Sequence, residues 1–278
     1  MIRQAKPEDA EAIRAFLMRH LETSMFLLSN LEAHGIGNTD HPHGMHYFLR
    51  ETGEGITGVF GATNGGYLTC QLPGLTKTEA QSYAYLLQGY TLRGMTGDAR
   101  QVPLILEALP VTDWHINEVE PLYKLDLSDL PEVEAEICPA EEGDLEGLSI
   151  WFGQSREETR TGTMADGPQR AREALERGYL RLLIENGAPV AMSDINAKAG
   201  DCVQLGGVYV PPALRGAGRA GRLVAAQLRD LRDRGVARAI LFAASATAAR
   251  AYERIGFQRI GDYHIAVLKS PVTLGSPA

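Results

Sequence analysis

Apolar positions recur along this chain in two rhythms. After the loop that ends at Gly218 they fall at helical spacing, at Ala220, Leu223, Val224, Leu228 and Leu231, which predicts an amphipathic helix with one stripe facing a core. Ahead of it, Cys202–Val210 is an apolar, β-prone run ended by Pro211-Pro212, so a strand is expected to feed that helix through a loop. Upstream, Gly162–Glu176 has the pattern of a helix. Tyr179–Glu185 and Ala188–Ala197 flank Asn186-Gly187, a strong two-residue hairpin signal, and Lys198–Asp201 supplies the next turn. Downstream come a strand at Ala237–Phe242, a helix around Tyr252, and a final pair of strands near Gln258–Ile260 and Tyr263–Leu268. The first part of the chain follows the same order. Two helices precede His46, and strands fall near Tyr47–Arg50, Ile56–Phe60 and Tyr67–Gln71. Then come helix, strand, helix and a last strand near Val119–Leu125.

The similarity of order has a counterpart in the residues. Ile2–Ile13 lies over Ile137–Leu148 at a constant offset of 135: Ile, Ala, Asp and Glu coincide, Ile13 meets Leu148, and Phe16 meets Trp151. Each copy reads as a short strand, a capping turn and an amphipathic helix. The expected architecture is therefore α+β, with two domains in tandem, 1–127 and 137–278, joined by an acidic linker over 128–136.

Candidate chemistry concentrates where the Cys202–Val210 strand meets the helix. Arg215, Gly218 and Ala220 fit Arg-x-x-Gly-x-Ala, with Gly216, Ala217 and Arg219 between them. Small residues let a backbone approach a ligand closely, and the unpaired N–H groups of a helix's first turn favour an anion such as a diphosphate. About thirty residues on, Ala248-x-x-x-Tyr252-Glu253-Arg254-Ile255-Gly256-Phe257 follows another apolar strand. With these two motifs the C-terminal half resembles the GNAT superfamily of acyl-CoA-dependent N-acyltransferases. The resemblance implies, for each half, a mixed, mostly antiparallel central sheet flanked by helices. It also implies that the C-terminal half binds acetyl-CoA and acetylates a primary amine, by direct attack in a ternary complex.

The resemblance further implies roles for residues. Val208, Tyr209 and Val210 occupy the strand against which the pantetheine arm pairs, and the backbone N–H of Val210 is the candidate oxyanion donor. Arg215, Gly216, Ala217, Gly218, Arg219 and Ala220 form the diphosphate loop. Tyr252 stands at the position of the general acid, since an ordinary phenol is protonated at neutral pH. Gly206-Gly207 is consistent with a bulge that splays the strand from its neighbour. Two positions depart from the family pattern. Ser245 stands where Asn is common; its hydroxyl can bond the cofactor or cap the following helix. No carboxylate lies on Cys202–Gly207, which leaves Asp194 on the preceding strand, or a water chain, as base. In the N-terminal half the Arg-x-x-Gly-x-Ala pattern is absent at Leu72–Thr78, and Thr96 and Asp98 replace small residues at Leu92–Asp98, so that half reads as a degenerate copy.

Composition narrows the functions. The chain has 278 residues, 44% apolar and 22% charged, with net charge −8. Residues 1–130 carry a balance of −7 and residues 131–278 one of −1, which argues against nucleic acid as a partner. No apolar run reaches membrane-spanning length, and Met1-Ile2-Arg3 leads straight into a charged helix, so no membrane partner is expected. Cys70, Cys138 and Cys202 lie far apart without metal-ligand spacing, which suits a reducing, cytoplasmic setting. His41-Pro42-His43-Gly44-Met45-His46 has metal-like spacing but no Cys or Glu cluster beside it; a solvent-exposed turn is expected and no metal. Two other functions fit the same residues: a non-catalytic acyl-CoA sensor that keeps the loop, and an enzyme taking a longer donor such as succinyl-CoA. The acceptor, a small molecule or peptide amine, and the choice between monomer and homodimer have no signature.

Overall fold

The computed structural model describes residues 1–275. The chain forms two compact units, Met1–Glu120 with the segment from Asp262 onward, and Pro121–Gly261. In chain order the first elements are β1 (Ile2–Gln4), α1 (Ala10–Met18), α2 (Leu21–His34), β2 (Met45–Thr52) and β3 (Gly55–Thr63). They are followed by β4 (Tyr67–Gln71), α3 (Lys77–Leu86), β5 (Thr91–Asp98), α4 (Val102–Ala108) and β6 (Trp114–Asp126). The second series is β7 (Ile137–Pro139), α5 (Leu145–Glu158), α6 (Gly167–Arg177), β8 (Arg181–Glu185) and β9 (Ala188–Ala199). It ends with β10 (Cys202–Tyr209), α7 (Arg219–Arg232), β11 (Arg238–Phe242), α8 (Ala246–Glu253) and β12 (Gln258–Thr273). The two series have the same order of strands and helices.

The pairing repeats as well. In the first unit β1, β2, β3 and β4 are neighbours in antiparallel pairs, β4 and β5 are parallel, and β5 pairs antiparallel with β12. In the second, β7, β8, β9 and β10 are antiparallel neighbours, β10 and β11 are parallel, and β11 pairs antiparallel with β6. Each sheet is thus mixed and mostly antiparallel, with helices packed on it, as the α+β reading expects. The closing strands differ from the order read along the chain. The run near Val119–Leu125 closes the second unit's sheet, where Leu125 pairs with Ala239. The pair of strands expected at Gln258–Ile260 and Tyr263–Leu268 is one strand, β12, and Tyr263 to Thr273 pair with β5 in the first unit. An apolar strand pattern specifies that a segment will pair, not with which sheet.

Local signals explain the elements. At the 135-residue repeat, Lys6 donates its N–H to Asp9 Oδ2 at 2.7 Å and Glu141 donates to Asp144 Oδ2 at 2.9 Å, so each copy opens its first helix with the same capping turn. The stripe of α7 is buried as its spacing requires: Leu223, Val224 and Leu228 are inaccessible and Leu231 nearly so. Val224, Leu228 and Leu231 pack with Val203, Leu205, Leu241, Tyr252 and Phe257 in one cluster, and Leu223 packs with Leu183, Val190 and Ala191 in another. A fully buried leucine is worth roughly 1.5–3 kcal/mol, so the first of these clusters fixes α7 against β10 and β11. A further cluster sets Leu148 and Phe152 of α5 and Ala171 and Ala174 of α6 against Leu182, Met192 and Tyr209. Among the described residues no helix is long and apolar enough to cross a membrane.

Candidate active site

The site is built where β10 leaves its parallel partner. β10 and β11 are paired at Cys202↔Arg238, Val203↔Ala239 and Gln204↔Ile240, and the pairing goes no further among the described residues. On the other side, the register with β9 shifts between Gln204 and Leu205 and again between Gly206 and Tyr209. Gly207 takes φ +57° in that irregular stretch, a conformation glycine adopts without the strain a side chain would bring. A Cβ at Gly206 would overlap the Asn196 amide, so this bulge also needs glycine for space. The consequence is a strand end whose backbone, from Leu205 to Tyr209, is free of ladder bonds on the β11 side. Gly206, Gly207, Val208 and Val210 are half-buried, and Tyr209 is buried.

Beyond the strand, Pro212–Leu214 makes one 3₁₀ turn and Arg215–Gly218 is an exposed loop. Gly218 is the N-cap of α7 at φ +70°, and no side chain caps the helix. The first-turn N–H groups therefore point out of the helix beside exposed Gly216, Ala217 and Gly218, which is the construction of an anion site.

The arginines do something other than line this loop. Arg215 turns back along the strand: its Nε donates to the Val210 carbonyl at 2.9 Å, its Nη2 reaches both Glu158 oxygens at 2.7 and 2.9 Å, and its guanidinium covers the Tyr209 ring. Arg219 donates to the Leu214 carbonyl at 2.5 Å and to Glu185 at 2.6 and 2.9 Å; Arg222 joins it on the same carboxylate. The two arginine bonds hold the Glu185 carboxyl below its usual range. Arg215 and Arg219 thus tie the two ends of the loop to backbone carbonyls and leave its N–H groups uncovered.

Ser245 caps α8, its hydroxyl accepting the Ala248 N–H at 3.1 Å. Tyr252 lies at the other end of that helix, buried edge-on to Phe257, and burial pushes its phenol above the usual range. Asp194 is fully buried beside Gly207 and Phe152. Arg177 Nη2 bonds its Oδ2 at 2.5 Å, and Oδ1 has no partner. Burial raises the Asp194 carboxyl against the pull of Arg177. Tyr252 belongs to the cluster packed with α7, and Asp194 lies beside Gly207 at the bulge of β10.

Gln154, Glu158 and Glu185 of this neighbourhood were not singled out from the sequence. Trp151, Gln154 and Glu158 form one stripe of α5 along the end of β10. Trp151 meets the Tyr209 ring at 6.4 Å, Gln154 Oε1 accepts the Tyr209 hydroxyl at 2.9 Å, and Glu158 holds Arg215. Their spacing of three and four is a helical stripe, which was the available signal. Glu185 had none, because its partners are more than thirty residues away on α7. The His41 turn is exposed, with His34 stacked on His41 and His43 tilted against His41, and no cluster of His, Cys, Asp or Glu among the described residues could hold a metal ion.

A sheet with one parallel pair that parts beside an uncapped, glycine-opened helix is the arrangement expected from the GNAT resemblance. Residues 146–257 match the model of the Acetyltransferase (GNAT) family, so the chain carries a domain of that family. Among solved structures, an N-acetyltransferase of the GCN5-related type from Sphaerobacter thermophilus is similar at 17% identity, with TM-score 0.58, covering 96% of this chain and 94% of that one. A GNAT-family acetyltransferase from Colwellia psychrerythraea has 14% identity and TM-score 0.54, covering 96% and 99%. A tandem GNAT protein from the clavulanic acid biosynthesis pathway has 13% identity and TM-score 0.53, covering 100% and 99%. At these identities the likeness is one of fold, and it extends over both units. No curated protein matches the chain.

Proposed function

We propose that the second unit transfers an acetyl group from acetyl-CoA to a primary amine. The observation that carries this reading is the free backbone of β10 beyond Gln204, running directly into the uncapped start of α7. An extended pantetheine arm can take the unpaired strand edge at Val208–Val210 while the diphosphate takes the N–H groups of Gly216–Ala220. In the transfer, the neutral amine attacks the thioester carbonyl and the Val210 N–H stabilises the oxyanion. The C–S bond then breaks and the CoA sulfur leaves as thiolate. Tyr252 is the proton donor for that thiolate, consistent with a phenol held protonated by burial. Asp194, with one oxygen unpartnered, or water takes the proton lost by the amine.

The first unit acts as the degenerate copy and the second as the catalytic one; their bounds differ from 1–127 and 137–278 because the end of β6 pairs with β11 and β12 pairs with β5. Three free cysteines, two of them buried, suit a reducing compartment, and we place the protein in the cytoplasm. The acceptor class stays open between small amines and peptide amines.

Calorimetric titration with acetyl-CoA tests the reading. Wild type is expected to bind at micromolar concentration, and Ala217→Glu to lose at least tenfold in affinity. Ala217 is exposed, and a carboxylate there competes with the diphosphate without disturbing the core. Binding that is absent, or unchanged by the substitution, would remove the donor site from this loop.

A further inference from the structure

The first unit repeats the construction of the donor cleft strand for strand. β4 and β5 are its parallel pair, in register from Tyr67↔Gly94 to Cys70↔Gly97, as β10 and β11 are from Cys202↔Arg238 to Gln204↔Ile240. The numbering offset between them is 135 along β4 and β10, and 144 along β5 and β11. At those offsets Leu72 stands for Gly207 and Gln101 stands for Ser245. Gln101 and Ser245 are also the N-caps of the corresponding helices, α4 and α8.

The two positions behave in opposite ways. Ser245 is exposed and spends its hydroxyl on its own helix, and Gly207 beside it in the pattern is only half-buried. Gln101 is buried, and its side chain crosses from the start of α4 to the end of β4. There its Oε1 accepts the Leu72 N–H at 2.5 Å and lies 3.7 Å from Cys70 Sγ. Leu72 and Cys70 are inaccessible. Val102, the next residue, packs toward Gly97 with its Cγ2 3.0 Å from where a Cβ would stand. A backbone N–H just past the paired part of β4, one position before the counterpart of the Val208–Val210 edge, is thus bonded by an amide from within the chain.

We infer that the first unit holds a second cleft of the donor type, occupied by the Gln101 side-chain amide as an internal ligand, so that one chain takes one acyl-CoA. Glutamine suits the task because its two methylenes span the gap and its carbonyl oxygen reproduces the acceptor of a pantetheine amide; serine at the same position falls short. An internal ligand is always present, so an arm from solvent must displace a satisfied buried bond before it can enter.

This inference rests on the reading of the second unit as the donor site, and the experiment separates the two. Titration of the full chain with acetyl-CoA is expected to give one equivalent, lost in Ala217→Glu. No binding at all would overturn the donor-site reading; two equivalents, or one that survives Ala217→Glu, would overturn the inference. The plug itself is read by alkylating native protein with iodoacetamide and following Cys70 by mass spectrometry. Gln101→Ser is expected to speed Cys70 labelling at least tenfold with Cys202 unchanged, while Gln101→Met, which fills the same space, keeps Cys70 slow. Cys70 as slow in Gln101→Ser as in wild type would overturn the inference. Should the serine variant unfold, shown by Cys202 rising with Cys70, the wild-type stoichiometry decides the matter.

Discussion

Ser245 and Tyr252 stand seven residues apart at the two ends of α8; the motif left Ser245 as a cofactor contact or a helix cap and made Tyr252 the general acid. Their surroundings give them different duties. Ser245 is exposed and closes the helix start, whereas Tyr252 is buried against Phe257 with its phenol held protonated. Ser245→Ala is therefore expected to cost about 1 kcal/mol of stability with little change in acetyl-CoA affinity. Tyr252→Phe should leave affinity alone and lower turnover at least tenfold, measured by free-thiol release once an amine acceptor is in hand. Unchanged turnover in the phenylalanine variant would mean that another group, or water, protonates the thiolate. Residue identity was legible at both positions; what each hydroxyl bonds was not, because that depends on distances the motif does not carry.

Among the elements, the capping turns were the most legible feature, since every atom they need lies within four residues. Asp9 accepts the Lys6 N–H and is bonded by both Arg3 nitrogens, and these bonds lower its carboxyl to about 2. An unfolded aspartate titrates near about 3.9, so the stabilisation is complete above that pH and is lost as pH falls toward 2. Thermal unfolding of Asp9→Asn between pH 4 and pH 2 should show a flatter loss of Tm than wild type; an identical slope would mean that Asp9 is not linked to folding. α7 was equally legible, because its apolar stripe is long and regular. The salt links of its first turn were not, since Glu185 reaches Arg219 and Arg222 from the end of β8.

At the scale of the whole molecule, the duplication is complete in topology while the closing strands are exchanged. The first unit takes β12 and the second takes the end of β6. Ala266, Leu268 and Leu274 belong to the core cluster of the first unit, which holds Met95 of β5 as well. Ending the chain at Gly261 should thus strip protection from β5 amides in hydrogen exchange by at least tenfold, while α7 of the second unit stays protected. Full protection of β5 in the shortened chain would contradict this pairing.

The sequence by itself determined what short-range physics controls: the helices and their caps, the 135-residue repeat, the Asn186-Gly187 hairpin, and a glycine loop opening a helix after an apolar strand. Each rests on residues within a few positions of one another, where steric preference and hydrophobic period are read directly. Only the tertiary structure decided which sheet receives β6 and β12, where β10 parts from β11, and which carboxylates hold Arg215 and Arg219. It alone revealed that Gln101 fills in one unit the place left open by Ser245 in the other. Those outcomes depend on pairings between segments tens of residues apart, which compete through packing and are not encoded in any local pattern.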